Sequence, residues 1–448
     1  MTYFKKWAFY TVLSVLVHVV VLIVSQGFWV ELDSPAYIDL ARTRSLSFCK
    51  PIGYPIFLFL LGIGAKYLWI PVFVQLLARS AVTSLIICYL QKQYQIKPKK
   101  VLFIWLIFHI EPQQLYYNTC IMVESLLLTT FLAQWYLWQQ YLESNRKTYL
   151  YGFLACIGVG LYLKPIAIIS IALLCMYGVV RIKSRYRYIM RGMTVYGIFY
   201  ISVGTLYYWR YNTFDTDIFR GILLWNNASV LTPVLKQDNF KSKDSTVNLV
   251  LEDMYSRDVK EFAYGQDGNR IFGDSGLVQQ YVQMRMSQSK DYRLAIVETN
   301  RILGRTAWVI ITQYPIKFIE KYLVVNVKNW LSGLWLPHDI TYLVPEFIAT
   351  HKYTKTYKLN TFVYVWHSTV KLFLLTLLTL VIVCKIIRCK GFEIDPSANS
   401  ILHFIWLYVV MKVVLHPFEY RYIHPVLGGL LLLSAIFVAQ RNNNLRNL

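Results

Sequence analysis

Acidic and basic side chains recur in this sequence where long apolar runs begin or end. The candidate acids and cations are Asp33, Glu111, Glu124, Lys50, Lys164, Arg421 and His424. A carboxylate can accept the proton of a hydroxyl or amine nucleophile, and Lys and Arg can hold the oxygens of a phosphate leaving group. Ionisable groups at or near membrane depth are costly, so they are functional candidates by default. The set suits a substrate with a charged phosphate leaving group.

Each of these side chains also has a structural interpretation. The Asp-Ser-Pro order that begins at Asp33 suits the start of a short helix, and Glu111 before a proline suits a solvated turn. The cations suit contacts with lipid headgroups. Arg79 lies within an apolar run, where a buried pairing with a carboxylate is expected. Tyr37 and Tyr54 stand out from the interfacial aromatic residues because they lie beside the charges.

Composition indicates which elements must position this set. The chain has 448 residues, of which 56% are hydrophobic and 16% are charged. A soluble domain carries about 25% charged residues. Apolar stretches of about 20 residues, long enough to cross a bilayer as a helix, recur from end to end of the chain. Within them apolar and polar residues do not alternate as they would in a β-strand. The sequence therefore predicts an all-α polytopic membrane protein with about ten transmembrane helices.

Charge and cysteine usage exclude other classes of partner. The net charge of +22 comes mostly from short basic clusters between apolar runs. Such clusters set membrane orientation, so no nucleic-acid partner is expected. The seven cysteines have no metal-ligand spacing, and no His/Asp cluster has it either. Neither a metal nor another cofactor is expected.

Three regions follow from the distribution of the apolar runs. Residues 1–209 are predicted as an N-terminal transmembrane module whose first outer loop, 31–69, contains interfacial helices. Residues 210–360 are predicted as a large extracytoplasmic loop region with amphipathic helices, and residues 361–448 as the C-terminal transmembrane helices. Lys and Arg are enriched in the predicted inner segments, so both termini are expected in the cytoplasm. The membrane is expected to be a plasma membrane, of which a bacterial inner membrane is the favoured example.

Six short stretches lie at the ends of the predicted spans. They are DSPAYIDLA at 33–41, KPIGYP at 50–55, LLARSA at 76–81, EPQQLYYNTCIMVES at 111–125, GLYLKP at 160–165 and FEYRYIHP at 418–425. In this order they resemble GT-C-type glycosyltransferases, in particular the protein O-mannosyltransferases and the aminoarabinose transferase of lipid A. Ile52 stands where those families carry a second proline.

The resemblance implies a polyprenyl-phosphate sugar donor and inversion at the sugar carbon by direct displacement. It implies a lipid, glycan or protein acceptor on the extracytoplasmic face. Asp33 is expected to be the base, and Glu31 and Asp39 are the other acids of the same loop. Asp33 is preferred because it combines a suitable distance from the first span with Tyr37 four residues on.

The remaining roles also come from the resemblance. Lys50, Lys164 and Arg421 are expected to bind phosphate. The further substrate-binding candidates are Tyr37, Tyr54, Glu111, Glu124, Tyr422 and His424.

Two other functions are considered for a chain with many spans, although a long polar outer segment is awkward for a small transporter. A protein similar to an O-antigen polymerase or ligase has many spans and a large outer loop, but it does not need the loop from Asp33 to Tyr54. A transporter of lipid-linked glycans, without catalysis, is expected to show broken helices in matching halves. The sequence has one break of this kind, at Lys164-Pro165.

Overall fold

A computed structural model describes most of the chain up to residue 335 and parts of its C-terminal region. The described residues are 2–24, 33–47, 50–61, 68–110, 112–181, 185–214, 220–257, 277–335, 401–405, 407–409, 426, 428–433 and 435–436. They form helices joined by turns, and the elements identified among them include no β-strand. The predicted all-α class is confirmed for these residues.

The N-terminal part contains two short helices in the first predicted outer loop and several long apolar helices. The elements are α1 Tyr3–Val24, α2 Ser34–Thr43, α3 Gly53–Leu60, α4 Trp69–Gln93, α5 Pro98–Ile110, α6 Pro112–Thr119, α7 Val123–Ser144, α8 Lys147–Leu163, a 3₁₀ turn Pro165–Ala167, α9 Ile168–Arg181 and α10 Arg185–Tyr211. Helices α2 and α3 are too short to cross a bilayer, as expected of interfacial helices.

Three helices of the described residues are long and apolar enough to cross a membrane: α1, α4 and α10. Helix α1 shows how such a helix is oriented. Its side chains Phe9, Leu16 and Ile23 are more than half exposed, whereas the polar Ser14 and His18 are buried. An apolar outer stripe with a polar inner stripe suits a helix whose solvent is lipid. The chain is therefore a membrane-associated helical protein.

The break predicted at Lys164-Pro165 is confirmed. Helix α8 ends at Leu163, Lys164 is extended, and the chain resumes as the 3₁₀ turn and α9. Pro165 has no backbone N–H and cannot continue the α8 hydrogen-bond ladder. The amide of Lys164 still donates to Gly160 O at 2.8 Å, which closes the last turn of α8.

The chain after α10 folds around a hydrophobic core of its own. Its elements are α11 Arg220–Ala228, a 3₁₀ turn Ser229–Leu231, α12 Thr232–Gln237, α13 Ser245–Ser256, α14 Leu277–Ser289, α15 Tyr292–Gln313, α16 Pro315–Phe318, a π-helical turn Ile319–Leu323 and α17 Val324–Trp335. Asp244 and Asp291 cap α13 and α15, because each carboxylate accepts a backbone N–H of the first turn. Trp225 is fully buried in this core.

Within 210–360, the described residues 220–257 and 277–335 form helices joined by turns. That this region is an extracytoplasmic loop with amphipathic helices stays a prediction. Most of the C-terminal region, 361–448, lies outside the described residues, so the number of spans there stays a prediction. The described stretches 401–405 and 428–433 are helical. A Cβ atom on Gly428 would lie 2.5 Å from the Leu128 side chain, so this stretch packs closely on α7.

Candidate functional site

The first predicted outer loop brings the preferred acid and the first candidate cation into direct contact. Lys50 Nζ lies 2.5 Å from Asp33 Oδ1, and the two side chains are 18% and 19% exposed. The same ammonium group lies 5.7 Å from the centre of the Tyr37 ring. A charge pair at this depth is partly withdrawn from water, yet it remains open to a ligand that arrives from outside.

Helices α2 and α3 hold this pair. Asp33 occupies the N-cap position of α2, as the sequence predicts, but its side chain makes no capping hydrogen bond. The carboxylate is engaged by Lys50 instead. Tyr37 of α2 and Tyr54 of α3 are buried and meet edge to face with ring centres 5.1 Å apart. This aromatic contact positions α3 against α2. Lys50 lies three residues before the first residue of α3, so its position is constrained as well.

A second ion pair joins Glu124 and Lys164. Lys164 Nζ lies 2.8 Å from Glu124 Oε1, and the glutamate side chain is only 2% exposed. Glu124 lies in the first turn of α7, where the positive end of the helix dipole favours a carboxylate. Lys164 comes from the break between α8 and the following 3₁₀ turn. The break is therefore the element that carries this cation.

Gly53 connects the two ion pairs. A Cβ atom at this position would lie 2.5 Å from the carbonyl carbon and oxygen of Tyr162 and 2.8 Å from the nitrogen of Leu163. The first residue of α3 is thus pressed against the backbone directly before Lys164. Tyr37, Tyr54 and Leu163 also belong to one buried apolar cluster, which includes Val123 beside Glu124. Both pairs consequently border the same cluster.

Replacing Gly53 by Ala is expected to lower stability and to disturb both ion pairs. The added methyl meets backbone atoms, which cannot rotate away, and overpacking of this kind costs about 1–3 kcal/mol. Thermal unfolding of the purified protein measures the loss. Gly197→Ala is the matched control, because nothing lies within 4 Å of a Cβ atom there. Equal unfolding temperatures for the two variants would show that α3 does not pack as described.

Gln75 of α4 is a site residue that the sequence reasoning missed. Its Nε2 donates to Asn118 O at 3.0 Å and to Cys120 O at 2.6 Å, and its Oε1 accepts from the Tyr54 hydroxyl at 3.3 Å. It therefore ties α3 to the turn that precedes Glu124. In the sequence, Gln75 appears only as an amide side chain within an apolar run. This signal is too common to identify one residue as part of a site.

Burial raises the pKa of the Tyr54 phenol well above its ordinary value, and the nearby Cys120 and Glu124 act in the same direction. The phenol therefore stays protonated and donates to Gln75. Ser34 adds a further tie, because its hydroxyl donates to Ile121 O at 2.8 Å. The turn that carries Glu124 is thus held from α2, α3 and α4.

A buried polar chain lies behind this turn. His18 Nδ1 is 2.8 Å from Ser14 O, and His18 Nε2 is 3.1 Å from Asn118 Nδ2. A carbonyl only accepts and an amide nitrogen only donates, so the imidazole carries its proton on Nδ1. Asn118 Oδ1 accepts from the Ser125 hydroxyl at 3.1 Å. The residue after Glu124 is therefore fixed through α6 to α1.

Arg79 differs from its expected environment. Its Nη2 donates to Gln114 Oε1 at 2.8 Å, and within the described parts of the chain no carboxylate pairs with it. The side chain is 2% exposed. The pairing with a carboxylate expected from the sequence is thus not found among these residues, and a neutral amide takes its place.

The structure brings together most of the residues that the sequence singled out. Those described at the site are Asp33, Tyr37, Lys50, Tyr54, Glu124 and Lys164. Glu111, Arg421, Tyr422 and His424 lie outside the described residues, so their placement stays a prediction. Among the described residues no group of three His, Cys, Asp or Glu side chains could hold a metal ion.

The arrangement offers a carboxylate for a proton and two ammonium groups for an anion, all bordering one apolar cluster. Ligands with a charged head and an apolar body suit such a surface. No protein-family model, curated protein or solved structure matches this chain.

Proposed function

We propose that this protein is an integral-membrane glycosyltransferase of the GT-C type. It moves a sugar from a polyprenyl phosphate to a lipid, glycan or protein acceptor on the extracytoplasmic face. The observation that carries the proposal is the contact between Lys50 and Asp33 beside the Lys164–Glu124 pair. A carboxylate and two cations next to one another meet the needs of a reaction that deprotonates a nucleophile and releases a phosphate.

The first step is exchange of partners at Lys50. In the resting arrangement its ammonium group is held by Asp33. The phosphate diester of the donor carries a negative charge and competes for the same ammonium group. When the phosphate takes Lys50, the Asp33 carboxylate is released to accept a hydrogen bond from the acceptor. Donor binding thereby generates the base.

The second step is a single displacement. The acceptor oxygen forms a bond to the anomeric carbon while the bond from that carbon to the phosphate oxygen breaks. The proton of the acceptor passes to Asp33, and the electron pair of the broken bond leaves with the polyprenyl phosphate. Attack opposite to the leaving group inverts the anomeric centre. Lys50 and Lys164 stabilise the charge that develops on the phosphate.

The finer assignments follow from the same proposal. Arg421 is a third cation for the phosphate, and Glu111, Tyr422 and His424 contact the substrates. The chain crosses the plasma membrane about ten times, with both termini in the cytoplasm. On that topology the ion pairs and the residues after α10 share the outer side.

The test is turnover of a radiolabelled polyprenyl-phosphate sugar by the purified full-length protein. Wild-type protein is expected to release polyprenyl phosphate, and Lys50→Ala is expected to raise the donor KM about tenfold to a hundredfold, as loss of a charged hydrogen bond does. The exposed Lys241→Ala is the control for general loss of positive charge. No turnover of any such donor by wild-type protein contradicts the function, and the polymerase or transporter alternatives then take its place.

A further inference from the structure

The C-terminal end of α10 and the start of α15 border an open groove of about 480 Å³. Cavities of about 300–1,000 Å³ are typical of sites for small organic ligands. The groove is lined by Tyr208, Trp209, Arg210, Asn212, Asp291 and Arg293, among others. None of these residues belongs to the ion-paired site described above.

The last turns of α10 contact both the first predicted outer loop and the groove. The hydroxyls of Tyr207 and Tyr211 donate to Ser47 O and Leu46 O, each at 3.0 Å, and Tyr211 also lines the groove. These carbonyls belong to the loop segment that leads to Lys50. Tyr208 and Trp209 line the groove and are 57% and 81% exposed. One helix end therefore joins the groove to the loop that carries the candidate cation.

The polar lining contains side chains of both charges. Arg210 and Arg293 contribute guanidinium groups and Asp291 contributes a carboxylate, and Arg293 Nη1 donates to Arg210 O at 3.4 Å. The Asp291 Oδ1 atom accepts the backbone N–H of Arg293 at 2.8 Å, which holds this carboxylate at the start of α15. The lining therefore offers two groups that only donate hydrogen bonds and one that accepts them. Neutral hydroxyl groups can donate to the carboxylate and accept from the guanidinium groups.

We infer that this groove binds an uncharged saccharide segment of the acceptor. The faces of Tyr208 and Trp209 offer flat apolar surfaces for sugar rings, and the charged side chains of the lining can hydrogen-bond the sugar hydroxyls. Aromatic residues alone are the ordinary belt at a membrane surface. The groove and its charged side chains, Arg210, Asp291 and Arg293, go beyond such a belt. The identity of the ligand as acceptor rests on the proposed glycosyltransferase function, whereas saccharide binding does not.

The test is saturation-transfer NMR on the full chain in phosphatidylcholine nanodiscs. The probe is the pool of neutral oligosaccharides released by mild acid from the envelope of cells that carry the gene. Wild-type protein is expected to transfer saturation to sugar ring protons. Trp209→Ala is expected to weaken binding about fivefold, the loss typical of one aromatic contact. Asp291→Asn is expected to weaken it while keeping the helix cap, because Asn caps as well as Asp.

Tyr186→Ala is the matched control, because Tyr186 is 83% exposed at the opposite end of α10. Absence of transfer, or equal transfer in wild-type and Trp209→Ala protein, overturns the inference. Retention of anionic phospholipid by wild-type but not Trp209→Ala protein, without sugar transfer, assigns the groove to lipid headgroups instead. This binding assay contains no donor, so it is independent of the transfer assay with the radiolabelled donor. Sugar binding that depends on the groove, in a protein that transfers no sugar, contradicts only the proposed function. Sugar transfer that Trp209→Ala leaves unchanged contradicts only the assignment of the groove to the acceptor.

Discussion

Asp33→Asn is expected to abolish sugar transfer while membrane insertion and abundance stay unchanged. Loss of a general base lowers kcat by about 10²- to 10⁴-fold. The asparagine has nearly the shape of the aspartate, and its side-chain oxygen can still accept a hydrogen bond from Lys50, so the fold is expected to persist. The measurement is release of polyprenyl phosphate from a radiolabelled donor at saturating concentration, by protein of matched amount.

The same loop offers a control for this substitution. Asp39 lies on α2 and is exposed to solvent. The structure thus separates two of the acids between which the sequence leaves a choice, because the contact with Lys50 is made by Asp33. Asp39→Asn is expected to keep full activity. Full activity of Asp33→Asn together with loss of activity in Asp39→Asn would contradict the assignment of Asp33 and identify Asp39 of α2 as the base.

The break between α8 and α9 and the interfacial helices could be predicted from the sequence, because their signals are local. Pro165 removes a backbone donor at a fixed position, and the apolar run after Gly53 is too short to cross a bilayer. The pairing of Lys164 with Glu124 could not be predicted in the same way. It joins residues 40 apart, and its geometry depends on how α7 packs beside α8.

Two features of the fold were beyond local reasoning. Nothing in the sequence distinguishes Gly53 from other glycines, and its packing on the Tyr162 carbonyl appears only when α3 is placed against α8. The helices after α10 read as separate amphipathic stretches. Their shared core around Trp225 requires contacts between α11 and α15, which are far apart in the chain. Patterns of period 3.6 identify such helices but not their partners.

The Lys50–Asp33 contact gives the proposed mechanism an order. On this proposal the Asp33 carboxylate stays paired with Lys50 until the donor phosphate takes the ammonium group. We therefore expect deprotonation of the acceptor to follow donor binding. The second cation, Lys164, is held by a more deeply buried carboxylate and is expected to be the more fixed of the two.

Glu124→Leu is expected to destabilise the protein by about 3–5 kcal/mol, because it leaves the Lys164 ammonium partly buried without this counter-ion. The double variant Glu124→Leu with Lys164→Met is expected to regain most of that loss, since apolar side chains of similar volume can replace a buried pair. Thermal unfolding of the purified variants measures both effects.

Donor kinetics of the same double variant separate folding from function. Because the Lys164 cation is absent, we expect the donor KM to remain raised although stability returns. Wild-type donor KM in the stable double variant would remove Lys164 from the phosphate site and leave the pair a purely structural one. A double variant as unstable as Glu124→Leu would show instead that the carboxylate stabilises α7 through contacts other than the one with Lys164.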